Sequence, residues 1–346
     1  MAGLPQYVGT ESLTGNTTVS ASKATLYAFL VPANISNLQN ICRAAFDIPT
    51  NGEVKCAPLD PMVMLLFDQV SWLGNPTARR LWTVVSPALA AGHGPRAHFR
   101  ALPGQGLIEN EVLVQIPVQI TNESTGISYP ALFTPWIWVD NPLSMLVGRE
   151  VYGYPKGPGI VSGMKDLPQY DAFTAIPIPM PLAVNASPPS LALSVFGGNI
   201  NDLYWSYRPL LSVAPQPPLG LAPSPLQLLT YQEWLDVLNW LYPSSAPLLN
   251  NWSSVGVTQV FLKEFPDITD AQLACFQQIT SAQYQIQKIY STQAFNWPMT
   301  LTISHLDSDD LCTALGIEAT VPVWGGVQVV LDFMLTGGSV VWSAQP

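Results

Sequence analysis

The chain has 346 residues, of which 13 are Lys or Arg and 23 are Asp or Glu, giving a formal net charge of −10. That acidic balance, with no basic cluster, excludes nucleic acid and an anionic membrane surface as partners, and an apolar fraction of 48% excludes a disordered chain. Only 10% of residues are charged, against roughly 25% in an ordinary soluble domain, so part of the charge-poor surface is expected to be buried in a homo-oligomer.

Residues 1–23 lack both a charged n-region and an apolar h-region, so no secretory signal is expected and the protein reads as cytoplasmic with reduced thiols. Cys42, Cys56, Cys275 and Cys312 are scattered and show no metal-ligand spacing. TLYAFLV at 25–31, rich in β-branched and aromatic residues, predicts the first strand. A helix follows Ser36 as N-cap, with Leu38, Ile41, Cys42 and Ala45 on one face. Strands are then expected at 62–70, 111–120, 132–140, 170–180 and 190–196. Pro117, Pro135, Pro177 and Pro179 interrupt several of them, which marks bulges or edges rather than central parallel strands. Residues 197–256 read as a Pro-rich insertion too short for its own core, with a helix at 226–242 that is apolar nearly all round and therefore docked. Beyond it come a helix from Thr269 or Asp270 through Thr280, strands at 283–290 and 299–306, a short helix after Ser308, and a last strand at 327–335. The strict alternation of QYQIQKIY (283–290) is that of a half-buried antiparallel strand. Pro, Gly, Asp or Gln interrupts every apolar run before the roughly 18 residues of a membrane span. The fold class is mainly β, one domain over 1–346 with a few peripheral helices.

Most chemical motifs are missing: there is no phosphate loop, no Rossmann glycine fingerprint and no HExxH. GHGPR (92–96) lacks the Lys-Ser/Thr ending of a phosphate loop, and no GxSxG elbow supports a triad built on His305. None of the three His stands near another ligand, so neither a metal nor a cofactor is expected. The stretch WIWVDNPLSMLVGREVYGYPKGPGIVSG (136–163) is different. Lys156, one of six lysines, follows Pro155, which fixes φ and holds Tyr154 extended. Val147, Val151, Tyr152, Tyr154 and Ile160 surround it in sequence. An amine forced into a desolvated setting loses its proton near neutral pH and becomes a nucleophile toward carbonyls. The same composition also suits a lysine at a loop tip, and the residue chemistry alone leaves both readings open.

The segment resembles the acetoacetate decarboxylase family, whose hallmark runs from a strand ending in Asp-Asn through Gly-Arg-Glu to aromatic-Pro-Lys. Here these are Asp140-Asn141, Gly148-Arg149-Glu150 and Tyr154-Pro155-Lys156. The resemblance implies an antiparallel β-barrel or cone in which Lys156 forms a Schiff base with a substrate ketone. ENEVLVQIPV (109–118) is similar to the family's strand that bears an active-site carboxylate, and counting back from Ile116-Pro117-Val118 places that role on Glu111. Residues 261–280 and the last strand are also similar. Arg149 is expected to contribute to substrate electrostatics and Tyr154 to line the pocket, while Glu150 and Tyr152 are expected to be structural. Three positions depart from the family. Gly157 stands where a second lysine follows the nucleophile, the second acidic residue aligns with Leu66, and a basic residue falls at Ala24, beside Lys23. Desolvation, or Arg149, is then left to lower the pKa of Lys156. The implied activity is a Schiff-base lyase that decarboxylates a β-keto acid, bulkier than acetoacetate, through an iminium and enamine on Lys156. An aldolase or dehydratase acting on an α-keto acid through the same imine, and a non-catalytic barrel binding an apolar small molecule, are the alternatives. The partner implied is a small-molecule keto acid.

Overall fold

A computed structural model describes residues 18–74, 107–162, 173–177, 211–215, 236, 239–250, 256–270, 273–303, 311–336 and 338–344. Twelve strands are present among them: β1 Val19–Pro32, β2 Val54–Pro58, β3 Met62–Gly74, β4 Leu107–Asn122, β5 Ile127–Val139, β6 Lys156–Ser162, β7 Phe173–Pro177, β8 Leu211–Pro215, β9 Val257–Pro266, β10 Ala274–Ile303, β11 Thr320–Leu335 and β12 Ser339–Ser343. Four short helices accompany them: α1 Ile35–Cys42, α2 Pro142–Val147, α3 Ala246–Asn250 and α4 Leu311–Leu315. The class is mainly β, as expected.

The near-continuous apolar runs have a direct structural meaning. Alternate residues of β1, β3 and β4 enter two separate cores, so both faces of the sheet are covered. Tyr27, Phe29, Val31, Leu65, Phe67 and Val114 pack on one face. Leu26, Ala28, Leu30, Met64, Leu66 and Leu113 pack on the other. Burying each of the Val, Leu, Met and Phe side chains stabilises the fold by about 1.5–3 kcal/mol. Edge-to-face pairs fix the first core, with ring centroids 6.1 Å apart for Phe29–Phe67 and 4.8 Å for Phe46–Phe133.

The ladders close on themselves. Pairing runs from β4 through β3, β1, β11, β10, β9 and β5 and back to β4, while β6, β7 and β8 bridge β5 to β10. Most pairings are antiparallel, but β5 runs parallel to both β6 and β9. The β5–β6 case follows from the intervening chain. Residues 140–155, containing α2, cross over and return the backbone in the same direction, which a tight hairpin cannot do.

Several elements differ from expectation. The N-cap of α1 is Asn34, whose Oδ1 accepts from the Ser36 and Asn37 N–H groups at 2.9 and 3.2 Å. The helix expected from Thr269 or Asp270 to Thr280 is instead the start of β10, a single strand that also contains 283–290 and most of 299–306. Its residues 274–284 pair with β9, and that tertiary pairing overrides local preference. Within the stretch 197–256, β8 joins the main sheet through β7 and β10. The strand at 190–196 and most of the helix at 226–242 lie outside the described residues. Among the described residues, no helix is long and apolar enough to cross a membrane.

Candidate active site

The site is assembled on β4. Residues two apart on a strand share a face, so Glu109 and Glu111 both point to the side that carries Leu113. Across the β3–β4 ladder Asp68 stands opposite Glu111, just as Leu66 stands opposite Leu113. Lys156 opens β6 in register with Ile137 of β5, which belongs to the same core as Leu113. Its ammonium therefore meets the carboxyls. Lys156 Nζ lies 2.7 Å from Glu109 Oε1, 2.9 Å from Glu111 Oε2 and 2.9 Å from Ser144 Oγ. The lysine is only 7% exposed.

The motif residues around this cluster hold it in place. Asp140 accepts from the Asn110 N–H at 2.8 Å and from Asn110 Nδ2 at 2.6 Å, while Asn141 Nδ2 donates to the Ile108 carbonyl at 3.0 Å. The backbone is thus pinned on both sides of Glu109. Asn141 Oδ1 also accepts from the Ser144 N–H at 3.3 Å, which starts α2 and places the Ser144 hydroxyl. A wider π-type turn, Gly148–Tyr152, continues α2. A Cβ on Gly148 would lie 2.8 Å from Lys156 Cδ, so only glycine leaves room for the lysine stem. Gly153 ends the turn at φ +89°, where a Cβ would also collide with Lys263 of β9. Lys263 Nζ donates to the Val151 carbonyl at 3.2 Å and Thr280 Oγ1 to the Tyr152 carbonyl at 2.7 Å, which ties the turn to β9 and β10.

Of the four residues singled out from sequence, Lys156, Glu111 and Tyr154 come together. The Tyr154 ring centroid is 5.6 Å from Lys156 Nζ, the ring packs on Phe261, and its hydroxyl donates to Gln259. Arg149 does not join them. It is exposed, and its Nη1 donates to the Lys156 backbone carbonyl at 3.2 Å, bracing the main chain rather than facing the ammonium. The site contains three further groups that the sequence reading missed: Glu109, Asp68 and Ser144. Leu66 and Asp68 share a face, as do Glu109 and Glu111, so on β3 and β4 alike an acid stands two residues from the position reached by counting. The signal was there in the Glu-x-Glu spacing and in an Asp inside the apolar run MVMLLFDQV. Ala24 is fully buried, and Lys23 sits on a bulge at φ 51° with its N–H on Asp332, away from the site.

The charges follow from this packing. Burial pulls the Lys156 pKa down, but the carboxylates of Glu109 and Glu111 pull it up further, and the net position is above the ordinary lysine value. The expectation of a neutral resting amine is therefore reversed, because its partners are anionic. Burial raises Glu109, yet the Lys156 charge and hydrogen bonds from Glu111, Lys156 and Ser144 outweigh it and hold the carboxyl below its ordinary range. Glu111 and Asp68 go the other way: burial, then the neighbouring acids, push both well above it against the pull of Lys156. The cluster is thus an ammonium–carboxylate pair flanked by two acids that hold their protons more tightly than usual. Among the described residues, no group of three or more His, Cys, Asp or Glu side chains is arranged to hold a metal ion.

A lysine amine buried among carboxyls of lowered and raised pKa, on a closed β sheet, is equipped for amine–carbonyl chemistry with its own acid and base. No protein-family model and no curated protein matches the sequence. Solved structures do. An acetoacetate decarboxylase from Legionella pneumophila subsp. pneumophila str. Philadelphia 1 superposes with a TM-score of 0.53 at 14% identity, over 99% of this chain and 93% of that one. An acetoacetate decarboxylase-like enzyme from Sphingomonas wittichii RW1 gives a TM-score of 0.56 at 12% identity, over 99% of this chain and 100% of that one. The chain has the acetoacetate decarboxylase-like fold, as the resemblance of 136–163 implied.

Proposed function

We propose that the protein is a Schiff-base-forming lyase that decarboxylates a β-keto acid bulkier than acetoacetate at Lys156. The observation that carries this reading is the buried Lys156 amine within 2.9 Å of Glu109, Glu111 and Ser144. In the first step Glu109 takes the proton from the ammonium, and the freed electron pair attacks the substrate ketone carbon. Glu111, whose burial raises its pKa, supplies the proton with which the hydroxyl of the carbinolamine leaves as water. The resulting iminium is the electron sink. The bond to the β-carboxylate breaks, CO₂ departs, and its electron pair becomes the enamine double bond. Asp68 returns a proton to the enamine carbon, and water attacks the iminium to release the ketone. Ser144 keeps the lysine nitrogen in line through these steps. The two acids of raised pKa serve water loss equally well in an aldolase or dehydratase working on an α-keto acid, which keeps that chemistry as the second reading.

Borohydride with a panel of β-keto acids is expected to add the reduced substrate mass to the Lys156 peptide, and Lys156→Ala to abolish both adduct and CO₂ release. Unchanged ligand affinity in Lys156→Ala with no turnover in either form would instead identify a binding barrel. The same reading places the protein in the cytoplasm as a homo-oligomer, for which a monomeric mass by light scattering is the contrary result.

A further inference from the structure

The cluster around Lys156 has more hydrogen-bond acceptors than donors, and catalysis makes the imbalance worse. The resting ammonium donates to Glu109 Oε1 and Ser144 Oγ and lies 2.9 Å from Glu111 Oε2 as an ion pair, which leaves Glu109 Oε2 and Glu111 Oε2 without a hydrogen-bond partner. Asp68 is outside that set. It is 3% exposed, faces the same side of the sheet as Glu111, and its Oδ1 has no hydrogen-bond partner. A buried carboxyl oxygen left unpaired is costly and calls for a missing donor. Forming the imine then removes two of the three N–H bonds from the lysine nitrogen, since an iminium on a lysine keeps one. Two of Glu109, Glu111 and Ser144 must find new partners at that moment, and Asp68 Oδ1 still has none. Among the described residues, Lys156 is the cation acting on all three carboxyls. Glu111 and Asp68 each hold at most one carboxyl proton to donate, so the surplus acceptors, Asp68 Oδ1 among them, are left for donors that arrive with the substrate. A carboxylate brings no donor, a hydroxyl brings one, and an ammonium brings three together with the positive charge that the carboxyls lack.

We propose that the substrate carries a protonated amine beside its ketone, so that its ammonium engages Asp68 and the oxygens which Lys156 releases. The proposal rests on the Schiff-base reading and narrows it to an amino-substituted β-keto acid, uncharged overall, whose carboxylate leaves as CO₂ while its ammonium stays bound. It also accounts for a site that places carboxyls where a small anionic keto acid would need cations.

Three methyl ketones of similar size separate the possibilities: aminoacetone, hydroxyacetone and pyruvate. The full chain is incubated with each in the presence of cyanoborohydride. Labelling of the Lys156 peptide is followed by mass and normalised to the labelling of N-acetyl-lysine amide in solution. Aminoacetone is expected to label at least about tenfold faster than hydroxyacetone, the size of one charge-assisted hydrogen bond, with pyruvate slowest. In Asp68→Asn the advantage of aminoacetone is expected to shrink to about threefold or less. Pyruvate or hydroxyacetone labelling as fast as aminoacetone in the unaltered protein overturns the ammonium proposal and leaves the imine standing. Labelling of Lys156 by none of the three overturns the imine as well. Should Asp68→Asn fail to fold, the order of rates in the unaltered protein decides alone.

Discussion

Gly148 shows how little slack the lysine has. With its Cβ position 2.8 Å from Lys156 Cδ and 3.0 Å from Cε, an alanine there must push the stem away from Glu109 and Glu111. The turn itself tolerates alanine, because Gly148 is not at positive φ. Gly148→Ala is therefore expected to leave circular dichroism unchanged while slowing borohydride labelling of Lys156 by about a hundredfold, the cost of a displacement near 1 Å at a reacting atom. Labelling at the original rate would show that the stem has another path. Gly157 plays a different part. Its Cβ position meets the indole of Trp138 at 3.5 Å, and Trp138 belongs to the opposite core from Ile137. Substitution at 157 thus leads away from the carboxyl cluster.

At the scale of elements, the Asp140–Asn141 corner couples β5 and α2 to the stretch of β4 that bears Glu109. Asp140→Ala removes two bonds to Asn110. The Asn110 amide is then expected to exchange with solvent about tenfold faster, and labelling of Lys156 to slow without loss of the remaining sheet. An unchanged Asn110 exchange rate would remove the corner from the list of positioning groups. These elements also show what the sequence made readable. Runs rich in β-branched and aromatic residues located β1, β3, β4, β5 and β11, and strict alternation marked the 283–290 part of β10. The fixed spacing of Asp-Asn, Gly-Arg-Glu and Tyr-Pro-Lys led to Lys156. Counting along a strand from a motif was less secure, because a shift of two residues keeps every side chain on its face and leaves the pattern intact. Glu111 and Leu66 were reached that way, while Glu109 and Asp68 stand beside them. The start of β10 was read as a helix because its partner strand β9 enters only through tertiary pairing. The role of Arg149 was misplaced because a π-type turn rotates it outward, and neither period 2 nor period 3.6 describes such a turn.

For the whole molecule, the cluster makes stability depend on pH in a definite sense. Asp68 and Glu111 have folded values raised above their ordinary 3.8 and 4.5. The fold binds their protons more tightly than the unfolded chain does, so their contribution is complete at low pH and is lost as pH climbs through the folded values. Glu109 is lowered, and its contribution is lost as pH falls below its ordinary 4.5. Lys156, raised above 10.5, loses its contribution only in strong alkali. Urea unfolding is thus expected to show greatest stability on the acid side of neutrality and a decline as pH rises through the folded values of Asp68 and Glu111. Asp68→Asn is expected to flatten that decline. A slope unchanged in the variant would mean that Asp68 titrates alike in the folded and unfolded chains.

The carboxyl surroundings of Lys156 do not distinguish an ammonium from an iminium. Both are monocations centred on the same nitrogen, and the field that keeps the resting lysine protonated keeps the intermediate protonated too. A lysine activated by a neighbouring cation is quick to attack but is surrounded by charge that opposes the intermediate. Here the balance is inverted. On the Schiff-base reading, attack is slowed by a tightly held proton, whereas the iminium, once made, is favoured by the same carboxyls. A carbonyl compound that, on the same reading, forms the iminium but cannot complete the reaction is expected to be a slowly reversible inhibitor.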